Sequence, residues 1–298
     1  MSDGGSAPQI LPIAGHIGAE VCGLHLSGDL APSVVRLIRE GLLKYKVIFF
    51  RGQEHLDDVS HEAFARLIGN PQPHPTIPSL EGSTAVLNID ASYGKRTTAW
   101  HTDLTFLDAY PQASILRALV VPPYGGDTIW ANTAAAYSSL SPKLREFADD
   151  LWAVHTNVHE FSALTTSDKP AEVRRNFELF SSTIYETEHP VVRIHPESGE
   201  RCLVLGGFVR EFVGLRVSDS RQIFQLFQDY VTRVENTVRW RWTAGDVAVW
   251  DNRATQHAKV NDSGTQQRLL RRVSVAGDVP ISISGRKSQM RKTGKTER

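Results

Sequence analysis

The apolar positions of the chain switch between two periods. From Pro32 to Tyr45, residues Val34, Val35, Leu37, Ile38, Leu42 and Leu43 recur at helical spacing and predict an amphipathic helix, and Val47-Ile48-Phe49-Phe50 predicts a buried strand directly after it. A second helix is expected from Asp58 to Leu67, whereas the proline-rich segment Pro71–Pro78 is expected to hold no regular structure. Ser114–Val121 reads as a strand and Thr133–Leu151 as mainly helix. Val191–Ile194 and Cys202–Leu205 read as a hairpin around Pro196-Glu197-Ser198-Gly199. A late helix over Asp219–Arg233 precedes strands at Val238–Trp242, Asp246–Trp250 and Gln267–Val275.

Strands dominate the second half and no internal repeat or linker interrupts it. The pattern predicts a mainly β fold with flanking helices, compatible with a jelly roll, filling residues 10–284 as a single domain. Residues 1–9 are expected to be disordered. So are residues 285–298, where Arg286, Lys287, Arg291, Lys292, Lys295 and Arg298 face the single acid Glu297 with almost nothing apolar to bury. Thr76–Ala99 and Ser162–Asn176 are candidate lids.

Composition narrows the function classes. The 298 residues carry 33 basic and 33 acidic side chains, a formal charge of zero, so no global field draws in nucleic acid or an anionic membrane surface. Two cysteines, Cys22 and Cys202, are too few for a disulfide framework. No run of 18 apolar residues and no signal-peptide pattern is present, so a cytoplasmic protein is expected.

The chemistry concentrates in Ala99-Trp100-His101-Thr102-Asp103, where an H-x-D pair on a strand would project two hard metal ligands from one face. The triplet alone is weak evidence. A third ligand can be sought in Trp250-Asp251-Asn252-Arg253-Ala254-Thr255-Gln256-His257, and two imidazoles with one carboxylate leave about three of six octahedral positions open, as in non-haem Fe(II) oxygenases. Downstream, a strand period of two puts Arg268, Leu270 and Arg272 on one face. Turned inward, the two guanidinium groups would each need an anion in a low-dielectric cavity. Alternatively they pair with internal acids such as Asp246 or Asp251, or Arg271 is the inward residue.

His101-Thr102-Asp103, Gly125-Gly126-Asp127-Thr128, the run leading to His257 and the Arg268/Arg272 pair together resemble the taurine dioxygenase (TauD/TfdA) family, within it the alkylsulfatases of the dioxygenase type. Glu188–Arg193 and Asn236–Trp240 match as well, and the similarity runs from about Ile10 to Pro280. The resemblance implies a double-stranded β-helix and a dimer or tetramer. His101, Asp103 and His257 would ligate Fe(II), and 2-oxoglutarate and O2 would be co-substrates. Arg268 and Thr128 would hold the far carboxylate of 2-oxoglutarate. Arg272 and His74 would hold the sulfo group of a small anionic substrate, in a pocket lined by Thr97, Leu104 and Phe208.

Two departures are informative. Thr97 stands where the taurine enzymes carry an asparagine, and Ile77 where they carry a tyrosine. Both make the pocket less polar, which disfavours an ammonium-bearing zwitterion and favours an alkyl chain at about 0.8 kcal/mol per buried methylene. The expected reaction is hydroxylation of the carbon bearing a sulfate ester, giving aldehyde, sulfate, succinate and CO2. Competing readings are a sulfonate or other small-acid dioxygenase, a zinc hydrolase using the same three ligands, and a non-catalytic binding module.

Overall fold

The computed structural model describes residues 7–90, 98–158 and 171–295. Its centre is an eight-stranded sheet. Along it run, in order, Gln9–Pro12, Ala19–Cys22, Val47–Phe50, Val247–Asp251, Ala113–Val120 and Leu269–Val275, with the short strands Pro71–Gln72 and Leu87–Ile89 both pairing to Leu269–Val275. All pairs are antiparallel except Ala19–Cys22 with Val47–Phe50.

The four residues of Val47–Phe50 are buried, as their unbroken apolar run predicts, because both faces of the sheet are covered. Ile48 and Phe50 point with Ile115, Val247, Val249, Val273 and Val275 to a core closed by the helices Pro32–Tyr45 and Asp58–Ile68. Pro32 starts the first helix, and Asp57 caps the second by accepting from the Ser60 backbone N–H at 2.8 Å. On the opposite face, Phe49, Leu116, Trp250 and Leu270 pack against Trp130, Val238 and Trp240 of a three-stranded sheet ordered Thr237–Trp240, Thr128–Asn132, Thr255–Lys259. Two facing, mostly antiparallel sheets make the expected jelly roll.

Thr133–Leu151 is two helices, Thr133–Ser139 and Pro142–Asp150. Pro142 lacks the N–H that a continuous helix would need and opens the second one instead. With Val217–Val231 they cover a third core over Ala153, Val191, Leu203 and Phe212.

Several expectations are corrected. The described part of the basic C-terminal segment is not a disordered tail, since Gln289–Lys295 is a strand paired antiparallel with Thr183–Pro190 in a four-stranded sheet; residues 296–298 lie outside the described residues. Apolar burial does not hold it there. Glu188, buried on the partner strand, is gripped by Arg286 at 2.7 Å and by Arg291 Nε at 2.8 Å, in addition to the backbone ladder. Pro71–Pro78 contains the two-residue strand Pro71–Gln72, on a sheet edge where proline is tolerated. At the N-terminus, residues 1–6 lie outside the described residues and Gln9 begins a strand. Of the two candidate lids, residues 91–97 and 162–170 lie outside the described residues. Their described portions include the strand Leu87–Ile89 and the start of the helix Ala171–Phe180.

His189 illustrates how the interior handles titratable groups. Its Nε2–H donates to the carbonyls of Thr105 at 2.7 Å and Leu107 at 3.1 Å, and burial lowers its pKa from 6.5 to about 4. His61, lowered to about 3, and His155 are likewise held neutral by burial. Below pH 6.5 the unfolded chain takes up protons that the folded chain refuses, so stability is lost as pH falls. Urea unfolding is expected to show a midpoint that drops between pH 7 and 5, less steeply for His189→Gln. A flat midpoint over that range would contradict the assignment.

Candidate active site

The first two histidines meet through the backbone. His101 is not part of a strand, as the period-of-two reading had it. It forms a single antiparallel bridge to His257, with N–H to carbonyl contacts of 3.0 and 2.8 Å in the two directions. The bridge extends the edge of the three-stranded sheet at Thr255–Lys259 and sets the two imidazoles side by side, ring centres 4.3 Å apart.

Past His101 the chain turns sharply, with Leu104 at a φ of +56°, a left-handed conformation that strains a leucine. The turn is clamped by Asn252. Its Oδ1 accepts from the Asp103 backbone N–H at 2.9 Å, while its Nδ2 donates to the carbonyls of Asp103 at 3.1 Å and Pro111 at 2.9 Å.

Three donor atoms result. His101 Nε2 and His257 Nε2 lie 3.8 and 4.0 Å from Asp103 Oδ1, and one ligand atom from each residue lies within 4.8 Å of the others. Both carboxylate distances are below twice a typical bond of about 2.1 Å, so one ion can reach each pair. The tautomer also fits: His101 Nδ1 donates to the Ala99 carbonyl at 2.7 Å, which leaves the lone pair on Nε2. A His-Asp-His set with a hard carboxylate suits a divalent ion such as Fe(II).

Electrostatics keep the set ready for a cation. Burial would raise the Asp103 pKa, but Arg272, His257 and His101 outweigh it and hold the carboxyl at about 2. Burial, reinforced by the other positive groups, lowers His257 to about 3, and burial also lowers His101. At neutral pH the site is therefore one carboxylate and two neutral imidazoles.

Arg272 and Arg268 both line the pocket, and Arg271 turns to the other face, where it bonds Asn88. The inward reading of the pair is thus the observed one. The suggested partners are otherwise engaged: Asp251 with Arg253 and His195, and Asp246 with Arg51. Arg272 does meet an internal acid, because its Nη1 donates to Asp103 Oδ1 at 2.6 Å, while its buried Nε has no partner among the described residues. Among the described residues Arg268 bonds neutral acceptors, Nε to the Gly126 carbonyl at 2.8 Å and Nη2 to Thr128 Oγ1 at 3.0 Å. Thr128 Oγ1 also accepts from Trp242 Nε1 at 3.0 Å. With both its lone pairs engaged, the hydroxyl has its proton to offer to an anion.

Of the other expected residues, His74, Leu104 and Phe208 line the same cavity, and Thr97 lies outside the described residues. His74 Nδ1 accepts from the backbone N–H groups of Thr76 and Ile77, at 3.2 and 3.1 Å, so its Nε2 is the N–H donor. Phe208 stands edge-on to His101 and, with Leu104, Phe106 and Phe180, forms an apolar wall against which Ile77, Leu107 and Tyr185 pack.

Sequence reasoning did not single out Phe180, Trp250 and Lys259 as lining residues, or Asn252 as the clamp. Lys259 had a usable signal, since it is two residues from His257 and so shares its face of the strand.

The sequence profile described as "Taurine catabolism dioxygenase TauD, TfdA family" matches residues 9–274. The chain belongs to the TauD/TfdA family. Membership makes it a dioxygenase dependent on 2-oxoglutarate and O2. An alpha-ketoglutarate-dependent sulfate ester dioxygenase of Pseudomonas putida is 55% identical over 96% of this chain and 95% of its own length. An alkylsulfatase of Acinetobacter baylyi is 48% identical over 94% of this chain and 89% of its own. The solved structure of a taurine dioxygenase from Burkholderia xenovorans superimposes with a TM-score of 0.81 at 39% identity, over 96% of this chain and 95% of that one. The TauD/TfdA fold thus extends over nearly the whole chain.

Because Asn252 ties both backbone groups of Asp103, Asn252→Ala should weaken Mn(II) affinity by about 10–100-fold in anaerobic calorimetry, with the circular dichroism spectrum retained. Unchanged affinity would remove it from the clamp.

Proposed function

We propose that this protein is an Fe(II)- and 2-oxoglutarate-dependent dioxygenase that desulfates alkyl sulfate esters in the cytoplasm. The observation that carries the reading is one pocket with a His101/Asp103/His257 triad and two inward arginines, Arg268 and Arg272, in a wall that is otherwise largely apolar. Both cysteines are free thiols, which suits a reducing compartment.

His101, Asp103 and His257 would hold iron, which when bound would supply the oxidation of 2-oxoglutarate by O2 to succinate and CO2, coupled to insertion of one oxygen atom into a substrate C–H bond. The chain's own residues bind and orient. Arg268 and the Thr128 hydroxyl receive the far carboxylate of 2-oxoglutarate. Arg272 and the His74 Nε2–H receive the sulfo group, directing the carbon that bears it toward the triad, an orientation effect worth several kcal/mol of barrier. Leu104, Phe180, Phe208 and Ile77 accept the alkyl tail, at about 0.8 kcal/mol per buried methylene.

The balance is R–CH2–O–SO3⁻ plus 2-oxoglutarate plus O2 to R–CH(OH)–O–SO3⁻ plus succinate plus CO2. The hydroxylated ester then loses its hydroxyl proton and expels sulfate, leaving the aldehyde. Similarity to a sulfate ester dioxygenase and to an alkylsulfatase supports this substrate over a sulfonate, and the apolar wall supports it over a zwitterion.

A metal hydrolase would need one anion site beside the ion. The separate Arg268–Thr128 cradle favours a reaction with a second acid. Anaerobic incubation separates the two, because sulfate release without O2 and 2-oxoglutarate would sink the dioxygenase reading.

Asp103→Ala is expected to abolish both succinate and sulfate formation. Arg272→Ala should instead leave slow succinate formation while sulfate release disappears. Undiminished desulfation by that variant would take Arg272 out of substrate binding.

A further inference from the structure

The cradle around Arg268 holds more positive charge than its neighbours neutralise. Lys259 lines the same cavity, half-buried, on the strand face it shares with His257. The register sets it directly opposite Thr128, whose hydroxyl accepts from Arg268. Side chains opposed in this way start about 5 Å apart at Cβ, so the ammonium and the guanidinium serve one small volume.

The two acids beside this pair, Asp127 and Asp262, also share a third cation, Arg239, so three positive charges meet two carboxylates. Asp127 accepts from Arg239 Nε at 2.6 Å, and Asp262 accepts from Arg239 Nη2 at 2.9 Å and from the Gly126 N–H at 2.7 Å. Among the described residues neither Lys259 nor Arg268 forms an ion pair. Two like charges converging on a partly dry cavity end repel each other and are costly unless an anion joins them. At the triad end the charges are balanced differently, because Arg272 already meets Asp103.

We propose that Lys259 is a second cationic anchor for the far carboxylate of 2-oxoglutarate, acting beside Arg268 and the Thr128 hydroxyl. This rests on the 2-oxoglutarate dependence argued above and adds a binding residue to it. Lys259 sets affinity and selectivity for a co-substrate with a second carboxylate. A keto acid lacking that group gains nothing from Lys259.

The test is anaerobic calorimetry of the Mn(II)-loaded full chain with 2-oxoglutarate and with 2-oxopentanoate, which has the same carbon chain but ends in a methyl group. Lys259→Met should weaken 2-oxoglutarate by about tenfold, the effect expected of one charge-assisted contact, and leave 2-oxopentanoate unchanged. Lys259→Arg should restore most of the loss, and hexyl sulfate should bind the 2-oxoglutarate-saturated wild type and Lys259→Met equally. Equal 2-oxoglutarate affinity in wild type and Lys259→Met overturns this proposal alone, as does a loss confined to hexyl sulfate. If the wild-type protein fails to bind 2-oxoglutarate, the parent reading falls and takes this one with it.

Discussion

A carboxylate taken out of water needs opposite charge and hydrogen bonds around it, and Asp103, 2% exposed, has both. Arg272 and the two imidazoles face Oδ1, the Ser114 hydroxyl donates to Oδ2 at 2.8 Å, and Asn252 fixes the backbone on either side. The rest of the pocket is arranged about this one negative charge. It keeps the histidines close without protonating them, and it holds Arg272 inside the cavity without an external counter-ion. Any anion drawn to Arg272 would compete with Asp103 for the same guanidinium, so anion binding there and the charge balance of the triad are physically linked.

The two sheets divide the work. The large sheet carries Leu269–Val275, and with it Arg272. The small sheet carries Thr128 on one strand and His257 with Lys259 on the next. Between them lies the aromatic filling of Phe49, Trp130, Trp240 and Trp250, which fixes the sheet separation and brings the Trp250 ring within 4.8 Å of the His257 ring. Rigid strands on both sides are suited to holding two anions at set positions, and the close-packed interior transmits little slack to the site.

Much of this was legible in the sequence wherever a period or a charge in an apolar context reported on burial. The helix Pro32–Tyr45 and the strand Val47–Phe50 were readable because their apolar residues repeat at the spacing of the element. Residue types and spacing made His101, Asp103 and His257 candidates and left the direction of Arg268 and Arg272 open; the resemblance to the TauD/TfdA family is what implied the triad and the inward pair. What was missed has no periodic trace. His101 joins the sheet by a single bridge, too short to alternate. Asn252 acts on backbone groups 149 residues away, and a polar residue in a loop gives no hint of that partner. The basic segment Gln289–Lys295 pairs through its backbone and through Glu188, neither of which hydropathy senses.

That last strand has a practical side. Gln289–Lys295 closes one edge of the four-stranded sheet, and without it Thr183–Pro190 would present a row of open peptide groups to any passing chain. Removing Gln289–Lys295 would then turn Thr183–Pro190 into an aggregation hazard.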